Sequence, residues 1–289
     1  MNQISLRESL KKGNWRGLFI YFGLLLLFLF LLYIPIAFFY PNAQNREEYD
    51  KLFENYSFRL AFQIVFLGAA ILATYYMCKN YDKRDFKSLY LTISIKNTII
   101  GFLIGAAIMF AFAFLTFSAG FVDFKFQGIT LDFLWGFIFY LLVAATEEII
   151  FRGYVLANLR DRYSSRNALI VSSVLFGLIH LGNDHLTVVG FATISLSGLL
   201  MGMVTIHTNT ISTAIGLHWS WNFIQGNVLG LPVSGLNESG VYIPHRLATE
   251  IITGGDFGAE GSVVALTLVV LIILCINRFP FVFGLNNRS

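Results

Sequence analysis

Charge is what this chain has least of. Asp, Glu, Lys and Arg make up 13% of its 289 residues, hydrophobic residues make up 56%, and the mean hydropathy is +0.67. A soluble globular domain carries about 25% charged residues, so the deficit excludes an ordinary soluble enzyme and assigns the chain to the membrane. Cysteine is nearly absent as well. Cys78 and Cys275 form no C-x-x-C, which leaves two free thiols rather than a disulfide framework or a thiol redox motif. The sequence contains no Gly-x-Ser-x-Gly, phosphate-binding loop, dinucleotide fingerprint or H-E-x-x-H, so the familiar hydrolase, nucleotide and zincin signatures are missing. It has no internal repeat, low-complexity tract or soluble domain. A net charge of +3 gives no reason to expect a nucleic acid partner.

What the chain does have is apolar length. A spanning helix needs about 20 largely apolar residues, and eight stretches approach that: Gly17–Tyr40, Leu60–Cys78, Thr98–Phe117, Leu131–Phe151, Asn167–Leu181, Leu186–Ile206, Thr210–Leu229 and Ser262–Ile276. The expected fold is therefore all-α, a polytopic bundle of about eight transmembrane helices forming a single integral-membrane domain over 1–289. The first run is too long for a signal-peptide core and no small-x-small site follows it, so it is expected to be a retained helix. With eight spans, one side of the membrane collects fifteen Lys and Arg against five on the other. The positive-inside rule then places both termini in the cytoplasm, in a cell (plasma) membrane. The segments Pro41–Arg59 and Gly230–Gly261 fall outside; the second is glycine-rich and reads as an ordered surface loop, with Asp256 and Glu260 available to line an outer mouth.

Against this background two adjacent carboxylates stand out. Glu147 and Glu148 follow an apolar run that begins near Leu131. An ionised carboxylate at the centre of a bilayer helix costs about 2.5–3.5 kcal/mol or more. The helix continues without Pro towards Arg162, a length of roughly 48 Å at 1.5 Å per residue, which puts Glu147 near mid-depth. Glu148 and Arg152 are i and i+4, an order that favours a structural ion pair. Glu147 points about 100° away and is left as a free carboxylate.

Two other helices place polar groups at matching depth. Phe176 and His180 are i and i+4 on the fifth, and His218 and Asn222 are i and i+4 on the seventh. Counting residues puts His180 roughly 20 Å and His218 roughly 12 Å from the cytoplasmic starts of their helices. Glu, His, His and Asn thus converge. A buried carboxylate beside an imidazole can deprotonate water, and a second imidazole with a carboxamide can donate to the oxyanion of a tetrahedral intermediate. That suits peptide hydrolysis. Glu147, His180 and His218 are also a donor set that Zn²⁺ uses, with the fourth position open for water; the sequence leaves both chemistries open, with no cofactor certain and Zn²⁺ the candidate. The remaining histidines, His185, His207 and His245, read as surface or interfacial residues.

Glu147-Glu148-x-x-x-Arg152, Phe176-x-x-x-His180 and His218-x-x-x-Asn222 resemble, in order and spacing, the three motifs of the CAAX prenyl endopeptidase and bacteriocin-processing family, also called the Abi or CPBP family. The resemblance covers about 131–226, the expected protease core. It implies an eight-helix intramembrane endopeptidase with its site inside the bundle. Glu147 then corresponds to the water-activating base, His180 to its partner, and His218 and Asn222 to oxyanion stabilisers. In the family's metalloprotease description His218 is instead a ligand. Glu148, Arg152 and Phe176 complete the motifs as supporting residues. The best-known substrates of the family are CAAX tails cut after the lipidated Cys, while bacterial members are implicated in peptide maturation and self-immunity. The expected partners are membrane lipids and a peptide or protein substrate at the membrane, with depth and orientation slightly favouring approach from the cytoplasm. A non-catalytic immunity or scaffold protein of the same fold is the main rival. A transporter is the other, though paired repeats and matching broken helices are missing.

Overall fold

A computed structural model of the chain describes residues 15–39, 48, 51–52 and 55–278. Arg7, Lys11, Lys12, Arg46, Arg288 and much of the segment expected between 41 and 59 lie outside the described residues. Helices occupy each of the eight expected positions: α1 (Trp15–Phe39), α2 (Tyr56–Tyr76), α3 (Ile95–Ser118), α4 (Leu131–Arg160), α5 (Ser165–Leu178), α6 (Val188–Thr208), α7 (Ser212–Phe223) and α8 (Val263–Arg278). Their starts follow local chemistry. The side chains of Asn55, Ser94, Ser164 and Thr187 accept hydrogen bonds from first-turn amides of α2, α3, α5 and α6, satisfying donors that have no partner within the helix. Large apolar side chains such as Phe19, Phe30, Leu103 and Phe114 point outward, as a lipid-facing surface requires. The protein is an all-α polytopic membrane protein.

Among the described residues six helices, α1 to α6, are long and apolar enough to cross a bilayer; the other two of the eight expected fall short of that length. α8 is apolar but has 16 residues, and the regular part of α7 has 12. The shortfall in α7 has a physical reason. It is buried on nearly every face, from Ser212 through Phe223, and a helix wrapped by other helices needs neither lipid-facing length nor a continuous apolar surface. This is why it can carry His218, Ser220 and Asn222.

The fit between α3 and α7 depends on small residues. A Cβ added at Gly101 would lie 2.0 Å from the Thr213 carbonyl oxygen, one at Gly105 2.3 Å from the Leu217 carbonyl oxygen, and one at Gly216 2.0 Å from the Thr98 carbonyl oxygen. Backbones that approach this closely tolerate only glycine, and Gly101-x-x-x-Gly105 is the sequence signal for such packing in membrane helices. Gly101→Leu is expected to separate α3 from α7 and to cost at least about 1–3 kcal/mol; a lower melting temperature in detergent, set against Gly23→Leu where the added carbon meets nothing within 4 Å, is the check.

One element departs from all-α. Strand β1 (Val122–Phe126) pairs antiparallel with β2 (Tyr242–Arg246), in register from Val122 opposite Arg246 to Phe126 opposite Tyr242. The alternation Val-Asp-Phe-Lys-Phe is a period-2 signal too short to stand out beside 20-residue apolar runs. The segment 230–261 is also more than a surface loop. Leu231, Val233, Phe257, Ala259 and Glu260 are buried. Gly258, at φ +95°, lies so close to Pro232 that a Cβ would be 1.9 Å from its carbonyl oxygen. Glu238 anchors the segment to the bundle, accepting hydrogen bonds from Arg59 and Tyr140 and from the Tyr56 hydroxyl at 3.1 Å. Cys78 and Cys275 are both free thiols.

Candidate active site

Glu147, Phe176, His180, His218 and Asn222 line one cavity of about 380 Å³. Regular α-helix in α4 ends at Glu148 and a π-helical segment, Ile149–Val155, follows; π-turns of this kind are frequent at functional sites. Glu148 is fully buried and Arg152 is 1% exposed. Their ion pair forms as the i, i+4 spacing predicts, Nη1 to Oε1 at 3.0 Å. The other guanidinium arm donates to the Gly198 carbonyl at 3.1 Å.

Glu148 has a second partner that the spacing did not reveal. His218 Nδ1 lies 3.0 Å from the same Oε1. A carboxylate only accepts, so Nδ1 carries the proton and Nε2 faces the other way. Nε2 lies 3.9 Å from Glu147 Oε2, beyond a direct hydrogen bond. His218 is thus held from behind by Glu148 and faces Glu147 in front. Glu147 lines the cavity, its side chain 20% exposed, and Oε2 has no hydrogen-bond partner among the described residues.

His180 stands in the 3₁₀ turn Ile179–Gly182 that ends α5. Its Nδ1 is 2.8 Å from the Phe176 carbonyl. That oxygen can only accept, so Nδ1 is the donor and Nε2 of the neutral ring keeps its lone pair. Phe176 joins the three motifs. The Arg152 guanidinium lies 4.2 Å from its ring centre, and the rings of His180 and His218 meet it edge-on at 5.0 and 6.1 Å. The close fit depends on Gly198, where a Cβ would press on both Phe176 and Arg152. Asn222 lines the same cavity one turn beyond His218.

Several cavity residues were not singled out from sequence: Gln63, Ser197, Trp221 and Ser234 among them. Gln63 had a signal, being a lone amide in an apolar span; it donates to the Thr146 hydroxyl at 2.9 Å. The others had none. Glu260 does line the cavity, bonded by Gln225 and Ser234, whereas Asp256 pairs with Arg246 at 2.8 Å on the exposed surface and does not. His185 and His245 are exposed, and His207 lies in the last turn of α6. The zinc set gains no support: among the described residues no three His, Cys, Asp or Glu side chains are grouped to hold a metal ion.

Burial raises the Glu260 carboxyl above its ordinary value of 4.5, against hydrogen bonds from Gln225 and Ser234 that lower it. A carboxyl raised in the folded state adds stability that is fully present below the unfolded value and lost as pH rises through the folded one. Glu260→Gln should therefore flatten the decline of melting temperature with pH just above 4.5, measured in detergent over a pH series.

Residues 129–224 match a family model described as Rce1-like, type II CAAX prenyl endopeptidase. No curated protein matches the chain. The matched segment runs from the start of α4 into α7 and contains every motif residue named above. This segment, which holds the paired glutamates, both cavity histidines and Asn222, is thus similar to the CAAX-type intramembrane proteases.

Proposed function

We propose that this chain is an intramembrane endopeptidase that hydrolyses peptide bonds of membrane-associated or lipidated substrates with water activated by Glu147 and His180. The observation that carries the reading is the meeting of Glu147, His180, His218 and Asn222, from three helices, on one largely apolar cavity. Protease activity at the level of the family is supported by the matched segment; the residue roles are our reading.

In that reading a water between Glu147 and the lone-paired Nε2 of His180 gives up a proton as its oxygen attacks the substrate carbonyl. The carbonyl π pair moves onto oxygen. Asn222 Nδ2 donates to that oxyanion, as does His218 Nε2 when the ring carries both protons. Collapse of the intermediate breaks the C–N bond, and the base returns the proton to the leaving amine. Glu148 acts on His218 rather than on substrate, fixing which ring nitrogen faces the cavity; it is a positioning residue. The apolar walls, with Phe62, Phe139 and Leu217 among them, exclude bulk water and suit a substrate with large apolar side chains or a lipid. We place the protein in the plasma membrane with both termini cytoplasmic, a reading supported by the basic residues gathered at one end of the bundle.

The test is mass spectrometry of peptides released from membranes carrying wild type, Glu147→Gln or His218→Ala, each with and without a zinc chelator. Peptides released by wild type and lost in both variants, unaffected by the chelator, are the expected result. Identical profiles from correctly folded variants would instead establish the non-catalytic scaffold, and loss on chelation would restore the metal mechanism.

A further inference from the structure

We infer that Glu260 is the residue by which the cavity selects its substrate, receiving a cationic nitrogen from the side chain of a Lys or Arg that lies within a few residues of the bond cut. The inference rests on the proposed peptidase reading for what occupies the cavity, and on the charge and setting of Glu260 for what it recognises.

Three other carboxylates of the bundle are held by cations: Glu148 by Arg152, Glu238 by Arg59 and Asp161 by Arg84. Glu260 is only 4% exposed, yet its hydrogen-bond partners among the described residues are neutral. Gln225 donates to Oε2, and the Ser234 hydroxyl donates to Oε1 at 3.3 Å. No Lys or Arg lines the cavity, which Glu147 and Glu260 both border. A carboxylate taken out of water without a cation is unfavourable, and burial accordingly holds the Glu260 carboxyl above its ordinary range. A cation brought by the substrate would meet that charge.

The fold fixes where this carboxyl sits. Glu260 stands in the 3₁₀ turn Ala259–Gly261, which follows Gly258 at φ +95°. A Cβ at Gly258 would lie 2.7 Å from Gln225 Nε2, and one at Gly261 2.5 Å from the Gly254 carbonyl oxygen. The two glycines thus let the turn close against Gln225. That residue is fully buried in the π-helical segment Ile224–Val228, which continues α7. Its amide donates to the Pro232 carbonyl at 2.6 Å as well as to Glu260. Gln225 on one carboxylate oxygen and Ser234 on the other leave acceptor capacity at both.

A purely structural acceptor at this position would not need the charge. The side-chain oxygen of a glutamine could accept from Gln225 equally well, so what the carboxyl adds is a stronger bond to a charged donor. Val233 and Leu236 of the same segment, with Phe62 and Phe139 of the helices, give the cavity apolar walls. Such walls suit the aliphatic stem of Lys or Arg while its head reaches the carboxylate. Glu147 and Glu260 border one cavity of about 380 Å³, which is why the cation falls close to the bond cut.

The test measures binding apart from turnover. The full-length Glu147→Gln chain in detergent is titrated with apolar peptides blocked at both ends, each carrying one Lys moved along the sequence. The same peptides acetylated on that Lys, and a Lys-free peptide with an unblocked N-terminus, serve as counterparts. Lys at one position should bind at least about tenfold more tightly than acetyl-lysine, the discrimination expected of a hydrogen bond between charged groups. Adding Glu260→Gln should abolish the difference. In membranes, sites cut by wild type and not by Glu147→Gln should carry Lys or Arg at that position. In Glu260→Gln their release should fall at least about tenfold relative to sites with a neutral residue there, a ratio that partial loss of folded protein leaves unchanged. Equal binding of Lys and acetyl-lysine peptides, a preference that survives Glu260→Gln, or a preference for the free N-terminal amine alone would overturn the inference. Identical release by wild type and Glu147→Gln would remove the peptidase reading, while the titration would still decide what Glu260 binds.

Discussion

Glu147→Gln should lower peptide release by about 10²–10⁴-fold, the range that a positioned general base contributes, while leaving the fold unchanged. The expected silence in stability follows from the site. Glu147 borders the cavity, its Oε2 has no hydrogen-bond partner among the described residues, and its nearest ionic neighbour is His218 at 3.9 Å. An amide of the same shape therefore breaks no buried pair, but it cannot take a proton from water. Single-turnover release of the wild-type peptides, measured beside the melting temperature in detergent, separates the two effects. A slow variant with an unchanged melting temperature supports the base; a variant as fast as wild type would remove Glu147 from the mechanism.

Arg152→Met should do the opposite, acting first on stability. It leaves the fully buried Glu148 with only His218 as an ionic partner. Removing one member of a buried ion pair costs about 3–5 kcal/mol because the other charge stays desolvated, and the remaining His218 contact places the expected loss near the lower end. Arg152→Met also gives up the donor to Gly198 and the cation over Phe176. The double variant Glu148→Leu with Arg152→Met should recover much of the stability without recovering activity, since His218 then loses the acceptor that fixes its ring. Denaturation in detergent for the four members of this cycle gives the coupling directly. Additive losses would show that the pair is not the unit holding α4 in place.

These two variants mark the boundary between what was legible in the sequence and what was not. The Glu148–Arg152 pair could be read from helix periodicity alone, because a spacing of four along one helix fixes two side chains on the same face whatever surrounds them. The eight helical positions could be read in the same way, from apolar runs whose length the bilayer sets. The motifs on α4, α5 and α7 were visible as polar residues where polarity is costly. Each of these signals is local, carried by residues within one or two turns.

Tertiary packing decided the rest. That Glu148 also holds His218, seventy residues away, depends on which face α7 turns towards α4, and no period along either helix encodes it. The short length of α7 reflects its burial among other helices, so the lipid criterion that located α1 to α6 undercounts it. Glycines at 101, 105 and 216 set the α3–α7 distance, but a glycine states only that close approach is permitted, not which helix approaches. The segment 230–261 looked like a polar loop because its glycines and carboxylates are loop residues by composition, yet Glu238 and Glu260 find buried partners and bring it over the cavity. The sequence by itself determined the membrane helices and the chemical groups they carry. Which of those groups meet was decided by long-range contacts between helix faces, where side-chain packing rather than local periodicity selects the neighbour.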